Sequence, residues 1–294
     1  MQKELLLAIS DDRAASYNLR FLKEVFNDFC DLKLTLFYVT PKKASWDIDK
    51  DQFVPRGQGF DEFQKHRNTQ GKRALDDAAK WIKDVMGCSG DNVRIKAVQS
   101  QRGTVLEMVN EAHKGMYDAL LLGRKGFSWF EHFFENSVSH ELLWSDINFP
   151  VWICKRPPEN PRQDVLLCMD GSKASLRMID HAAYMLANEP SHTFTLFHVA
   201  QKGYSSGRSG RIFDEGLAIL DEHNVDEERI ELKMATSRNV VKTIIKEALE
   251  GNYCAVGVGK HGENEGSNMR GLFPSSVAIN LMRQLEHTAL WVSR

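Results

Sequence analysis

Short apolar runs alternate with longer amphipathic stretches along the whole chain. LLLAIS (5–10) is followed by a helical pattern from about Arg13 to Phe29, and then by LTLFYV (34–39). A second helical pattern covers roughly 61–86, VRIKAVQ (93–99) reads as a strand, and TVLEMVNEAHKG leads into ALLLG (119–123). A further helix is predicted from Ser137, and PVWICK (150–155) closes the series. Apolar runs this short and continuous suit parallel strands covered on both faces, with the helices as right-handed crossovers. The pattern predicts an α/β fold on an open parallel sheet with helices on both faces.

KRPPENPRQ (155–163) interrupts the alternation, because prolines among charged residues continue neither strand nor helix. The series then begins again. VLLCMD (165–170) matches LLLAIS at an offset of 160, and FTLFHV (194–199) matches LTLFYV at the same offset. AVGVGKHG (255–262) matches ALLLGRKG (119–126) at 136, SSVAINLM (275–282) matches NSVSHELL (136–143) at 139, and Trp291 matches Trp152 at 139. The chain reads as two tandem copies of one α/β domain, 1–156 and 164–294, joined by a linker at 157–163. The offsets place 24 extra residues in the first copy, assigned by polar, turn-rich composition to 41–62, and 3 extra residues after Gly262 in the second.

Composition narrows the function classes. Of 294 residues 42% are hydrophobic and 27% charged, ample for buried cores. A net charge of −2 gives no bulk attraction to nucleic acid or anionic lipid, so a charged ligand has to be held by local groups. MQKELLLAISDDRAAS flanks its short apolar run with acidic residues, unlike a secretory leader, and no apolar run approaches bilayer length. A cytoplasmic location is the expectation. Cys154, Cys168 and Cys254 lie inside apolar runs, Cys30 and Cys88 elsewhere, with no C-x-x-C pair and no zinc spacing. All five are expected as reduced thiols, and no metal site is expected.

Candidate chemistry lies at the strand ends. Gly123-Arg124-Lys125-Gly126 follows the fourth apolar run of the first copy. Glycine there lets peptide N–H groups approach a ligand, and a helix opening near Ser137 would aim its N-terminal dipole at the same space. Arg124 or Lys125 would add positive charge. There is no Walker A motif and no local Ser-His-Asp or Cys-His arrangement. The aromatic cluster Phe127, Trp129, Phe130, Phe133 and Phe134 reads as loop packing or a partner surface, and GYSSGRSG (203–210) as flexible loop.

The repeated order of elements, with G-x-x-G, nine residues and a Ser opening the last helix, resembles the universal stress protein family over nearly the whole chain. The resemblance implies the family's fold, akin to the adenine nucleotide α-hydrolases. In its nucleotide-binding members the pattern G-x2-G-x9-G-[ST] holds the phosphates and ribose of ATP. An Asp ending the first strand and an aliphatic residue ending the second hold the adenine side. In the second copy these roles fall on Asp170, Gly171, Val199, Gly259, Gly262, Ser275 and Ser276, with Lys260 and His261 assisting phosphate charge. In the first copy they fall on Val39, Gly123, Gly126, Asn136 and Ser137. Each copy departs from the pattern: Asn136 replaces the third glycine and Ser10, followed by Asp11 and Asp12, stands for the strand-end Asp, while the second spacer has twelve residues.

The resemblance thus implies a stress-response regulatory protein binding ATP or AMP, with magnesium accompanying the nucleotide and no catalytic cycle. The second copy is favoured because Asp170-Gly171-Ser172 matches. Family domains pair through their last strands, so PVWICK and ALWVSR would join the copies as an internal pseudo-dimer, with a homodimer also allowed. The alternatives are a nucleotide-free scaffold for protein partners and a slow ATP hydrolase.

Overall fold

The computed structural model describes residues 2–10, 17–40, 58–123, 147–156, 163–200, 206–260 and 276–293. Contacts gather them into two units: residues 1–16 with 28–136, and 17–27 with 137–294.

The first unit holds β1 (Glu4–Ala8), a 3-10 turn (Phe29–Asp31), β2 (Lys33–Thr40), α2 (Gln58–Met86), β3 (Val93–Gln99), α3 (Thr104–Gly115) and β4 (Ala119–Leu122). Its strands run in the order β3-β2-β1-β4, all parallel. The predicted runs became strands for the expected reason. Leu5, Leu6, Leu7 and all of Ala119–Leu122 are buried, as strands covered on both faces require. β3, at the edge, alternates between half-buried and exposed positions instead.

The second unit holds α1 (Tyr17–Val25), β5 (Val151–Ile153), β6 (Val165–Met169), α4 (Lys173–Leu186), β7 (Phe194–Ala200), α5 (Ser206–Glu222), β8 (Ile230–Thr236), α6 (Val240–Gly251), β9 (Ala255–Gly259), α7 (Ser276–Gln284) and β10 (Ala289–Ser293). Its order is β5-β10-β9-β6-β7-β8, parallel except for the antiparallel pair β5–β10. The order β8-β7-β6-β9 repeats β3-β2-β1-β4, as the sequence offsets predict. The predicted α/β architecture, with parallel strands in one repeated order, holds in both copies.

Two expectations about length need correction. α2 has 29 residues where its counterpart α5 has 17, so half of the first copy's extra length extends a helix and does not form a loop. Residues 206–210, read from their Gly and Ser content as loop, open α5. Gly207 and Gly210 have nothing within 4 Å of a Cβ position, so glycine is not demanded there by packing.

Aromatic side chains fill the middle of the second unit. β5 and β10 pair with Trp152 opposite Trp291, and the two indoles stack at 4.0 Å and 5°. Phe21 of α1 meets both edge-on at 6.0 and 6.2 Å, and Phe26 stacks on Trp152 at 6.4 Å. Fully buried aromatics in such offset and edge-on arrangements add roughly 0.5–1.5 kcal/mol per pair beyond their burial. Trp152 Nε1 donates to His181 Nε2 at 3.0 Å. Burial pushes the His181 imidazole down to about 3, so it stands neutral as an acceptor. The 160-residue offset places Phe21 where the other copy has His181. Trp291 Nε1 is accordingly buried with no partner among the described residues.

The cysteines also differ from expectation. Cys30 and Cys88 are joined as a disulfide, 58 residues apart in sequence. Neither lies in a C-x-x-C motif; the fold brings the 3-10 turn against the loop that follows α2. Cys154, Cys168 and Cys254 are free, as predicted. Burial pushes all three thiols well above their ordinary range, with the Asp170 carboxylate adding to the effect at Cys168.

Candidate functional site at the strand ends

In each unit one strand has neighbours that follow it in opposite directions: β1 lies between β2 and β4, and β6 between β7 and β9. Ligands of open α/β sheets bind beyond the carboxyl ends of strands at this reversal. The candidate residues at the ends of β1, β2 and β4, and of β6, β7 and β9, therefore converge on the reversal of their own unit.

The second unit shows how the chain leaves β6. Asp170 follows the last strand residue, and its Oδ1 accepts from Ser172 N at 3.0 Å, forming an Asx turn. Gly171 has φ +84°, a conformation that costs other residues strain, and a Cβ there would lie 3.2 Å from Ile212. Ser172 is the N-cap of α4, its Oγ accepting from Ser175 N at 3.1 Å. Asp170 thus sets the turn, whereas Ser172 caps the helix. Each residue of Asp-Gly-Ser has a distinct local task.

Gly259 ends β9, which pairs with β6 through Leu167 opposite Gly257. A Cβ on Gly259 would lie 2.7 Å from both Ala174 C and Ser175 N in the first turn of α4. Only glycine lets the helix start settle on the strand end. That close approach fixes the Asp170 turn directly beside the end of β9. Val199, the penultimate residue of β7, is half-buried at the carboxyl end of the strand beside β6. His198, before it, is buried with Nδ1 2.8 Å from Met169 O, so the ends of β6 and β7 are tied together. This histidine was not singled out from sequence; a polar residue inside the apolar run FTLFHV was the available signal.

Lys260 departs from its expected role. The side chain is 2% exposed and Nζ donates to Ile147 O at 3.3 Å, while its backbone N donates to Ser293 O at 2.6 Å. The ammonium is used inside the fold, securing the segment before β5.

In the first unit Val39 is buried near the end of β2, and Gly123 is buried just past β4. Ser10 is buried, and its Oγ has no partner among the described residues. The first unit therefore offers a hydroxyl where the second offers the Asp170 carboxylate. Gly126, Asn136, Ser137, Gly262, Ser275 and His261, with Asp11, Asp12, Arg124, Lys125 and the aromatic cluster, lie outside the described residues. Ser276 is the first residue of α7, so a helix does open at the predicted serine of the second copy.

Among the described residues no three His, Cys, Asp or Glu side chains converge as a metal site, and no helix is long and apolar enough to cross a membrane.

No protein-family model matches the chain, and no curated protein does. Solved structures do match. A universal stress protein from Archaeoglobus fulgidus superposes with a TM-score of 0.66 at 18% identity, over 99% of this chain and 96% of that one. A Pseudomonas aeruginosa protein described as a candidate universal stress protein matches at a TM-score of 0.57 and 12% identity, over 99% and 93%. A Pseudomonas aeruginosa protein of unknown function matches at 0.57 and 13%, over 99% and 92%. With both copies matched across nearly their full length, the chain has the fold of the universal stress proteins.

Proposed function

We propose that this protein is a stress-response regulator that binds an adenine nucleotide, ATP or AMP, at the ends of β6, β7 and β9. The observation that carries the reading is the junction of Asp170, Gly171 and Gly259, where the start of α4 lies against the strand reversal of the second unit. A carboxylate, an apolar Val199 side chain and the peptide groups of a glycine turn suit the donors of an adenine or ribose. The phosphates would extend toward the N-terminal end of α7, where the helix dipole favours negative charge. Magnesium, where it accompanies the nucleotide, would be carried by the phosphates.

The second copy is the preferred site because Ser10 supplies no carboxylate at the corresponding place in the first. The protein acts through binding, without a catalytic cycle. The β5–β10 pairing supports a reading in which the last strands of the two copies join within one chain.

Calorimetric titration of the intact protein with ATP and AMP tests the proposal. Asp170→Asn keeps the turn acceptor but removes the charge, and should weaken binding by about tenfold or more, the worth of a charge-assisted hydrogen bond. Ser10→Ala should leave affinity unchanged. Equal binding by Asp170→Asn and the parent protein would refute the assignment.

A further inference from the structure

The two copies close the same junction in different ways. In the second copy Arg229, the residue just before β8, gathers the chain that leaves α4. Its Nε donates to His192 O at 2.9 Å, Nη1 to Ala187 O at 2.7 Å, and Nη2 to Leu186 O at 3.0 Å and Glu189 O at 2.8 Å. The guanidinium also lies 5.3 Å from the Phe194 ring centre. One side chain thereby ties the end of α4 and the chain that follows it to the start of β8, adding to the backbone bonds that Leu186 O and Glu189 O already accept.

In the first copy Asn92 holds that place, immediately before β3. It makes a single such bond, Nδ2 to Cys30 O at 2.9 Å. The disulfide sits beside it. Cys30 lies in the 3-10 turn before β2, and Cys88 follows the end of α2, where Gly87 takes φ +70° and Cys88 N reaches Ile82 O at 3.5 Å. The two Cα atoms are 5.3 Å apart. Phe29, Cys30, Ile82 and Cys88 line a small pocket here, and Val85 beyond them is 52% exposed. A covalent bond has taken over from four charge-assisted hydrogen bonds. That bond can be broken by chemistry which leaves Arg229 untouched.

We propose that Cys30–Cys88 is a thiol–disulfide switch that fastens the C-terminal end of α2 in the oxidised protein and releases it in the reduced one. Cys30 is exposed and Cys88 buried, which sets the order of attack. The thiolate of a small thiol attacks the Cys30 sulfur, forming a mixed disulfide and expelling the Cys88 thiolate, which takes a proton. A second small thiol attacks the mixed disulfide, leaving both cysteines as thiols and one molecule of small disulfide. Two electrons pass to the protein. Oxidation is the reverse, with the small disulfide as the oxidant and two small thiols as product. In the reduced state Asn92 Nδ2 still donates to Cys30 O and the Phe29 ring still meets Trp81 of α2, but nothing covalent holds the residues after Met86, so the last turn of α2 and the loop 87–92 open more often.

The intact protein is equilibrated with glutathione buffers from fully reduced to fully oxidised, then trapped with a maleimide and mapped by mass spectrometry. Cys30 and Cys88 should become protected together in one two-electron transition, while Cys154, Cys168 and Cys254 behave alike at both extremes. Hydrogen exchange over residues 83–92 should be about tenfold faster in the reduced protein, with residues 222–229 unchanged. Asn92→Arg, copying the junction of the second copy, should narrow that difference to about threefold or less. Labelling of both cysteines under fully oxidising conditions, or equal exchange over 83–92 in the two states, would overturn the proposal. So would an undiminished difference in Asn92→Arg.

Discussion

His181→Phe makes the two copies alike around the stacked tryptophans, since Phe21 already stands at the equivalent place. The substitution removes the acceptor of Trp152 Nε1 and leaves a second buried indole N–H beside that of Trp291. An unsatisfied buried donor costs about 1–3 kcal/mol, and the added apolar ring returns part of this, so a net loss of about 1–2 kcal/mol is expected near pH 7.5. The pH dependence distinguishes this account from simple repacking. His181 is pushed down to about 3 from its ordinary 6.5, so the unfolded chain takes up its proton first as acid is added. The stability that neutral His181 contributes is complete above that unfolded value and falls through the window from 6.5 towards 3. The slope is about 1.4 kcal/mol per pH unit, or about 2 kcal/mol lost by roughly pH 5. The variant has no such slope at this position. Urea unfolding followed by tryptophan fluorescence should therefore show the parent protein ahead at pH 7.5, the two equal near roughly pH 5, and the variant ahead below that. A stability difference that stays constant between about pH 4.5 and 7.5 would refute the reasoning.

The reciprocal change, Phe21→His, should cost less than about 1 kcal/mol at neutral pH, well below an ordinary buried polar substitution, because Trp291 Nε1 supplies its donor; equilibrium unfolding measures this. Gly259→Ala places a Cβ 2.7 Å from the α4 backbone and should lower stability by about 1–3 kcal/mol while weakening ATP binding, read by thermal unfolding and calorimetry. Arg229→Met keeps the stem but removes four hydrogen bonds, leaving Leu186 O and Glu189 O with their backbone donors, and should cost about 1–3 kcal/mol in urea unfolding, with faster hydrogen exchange at the end of α4.

Strands and repeat were legible because both faces of the inner strands are buried, and continuous runs such as ALLL and VLLCM have few other uses. The stretch 206–210 reads as loop because Gly and Ser usually mark loops, yet it opens α5, whose following turns carry the apolar residues Ile212 and Leu220 into the core. The helix read over roughly 61–86 is present as Gln58–Met86, and only its first residues overlap the stretch 41–62 assigned to the insertion. The fold brought Cys30 to Cys88, and Lys260 to Ile147 O, across 58 and 113 residues. No local spacing encodes such meetings. At the site, Asp170-Gly171-Ser172 was readable as a motif, but the division of its labour into turn, positive φ and cap needed coordinates. So did the reason for Gly259, which is helix packing as well as ligand approach. His198 stayed hidden inside an apolar run.

Mass spectrometry of the small molecules released from freshly purified protein tests nucleotide binding most directly. ATP or AMP should be recovered at close to one per chain from the parent protein and be strongly depleted from Asp170→Asn. Protein that releases no nucleotide, and shows no calorimetric heat with ATP at millimolar concentration, would contradict the account.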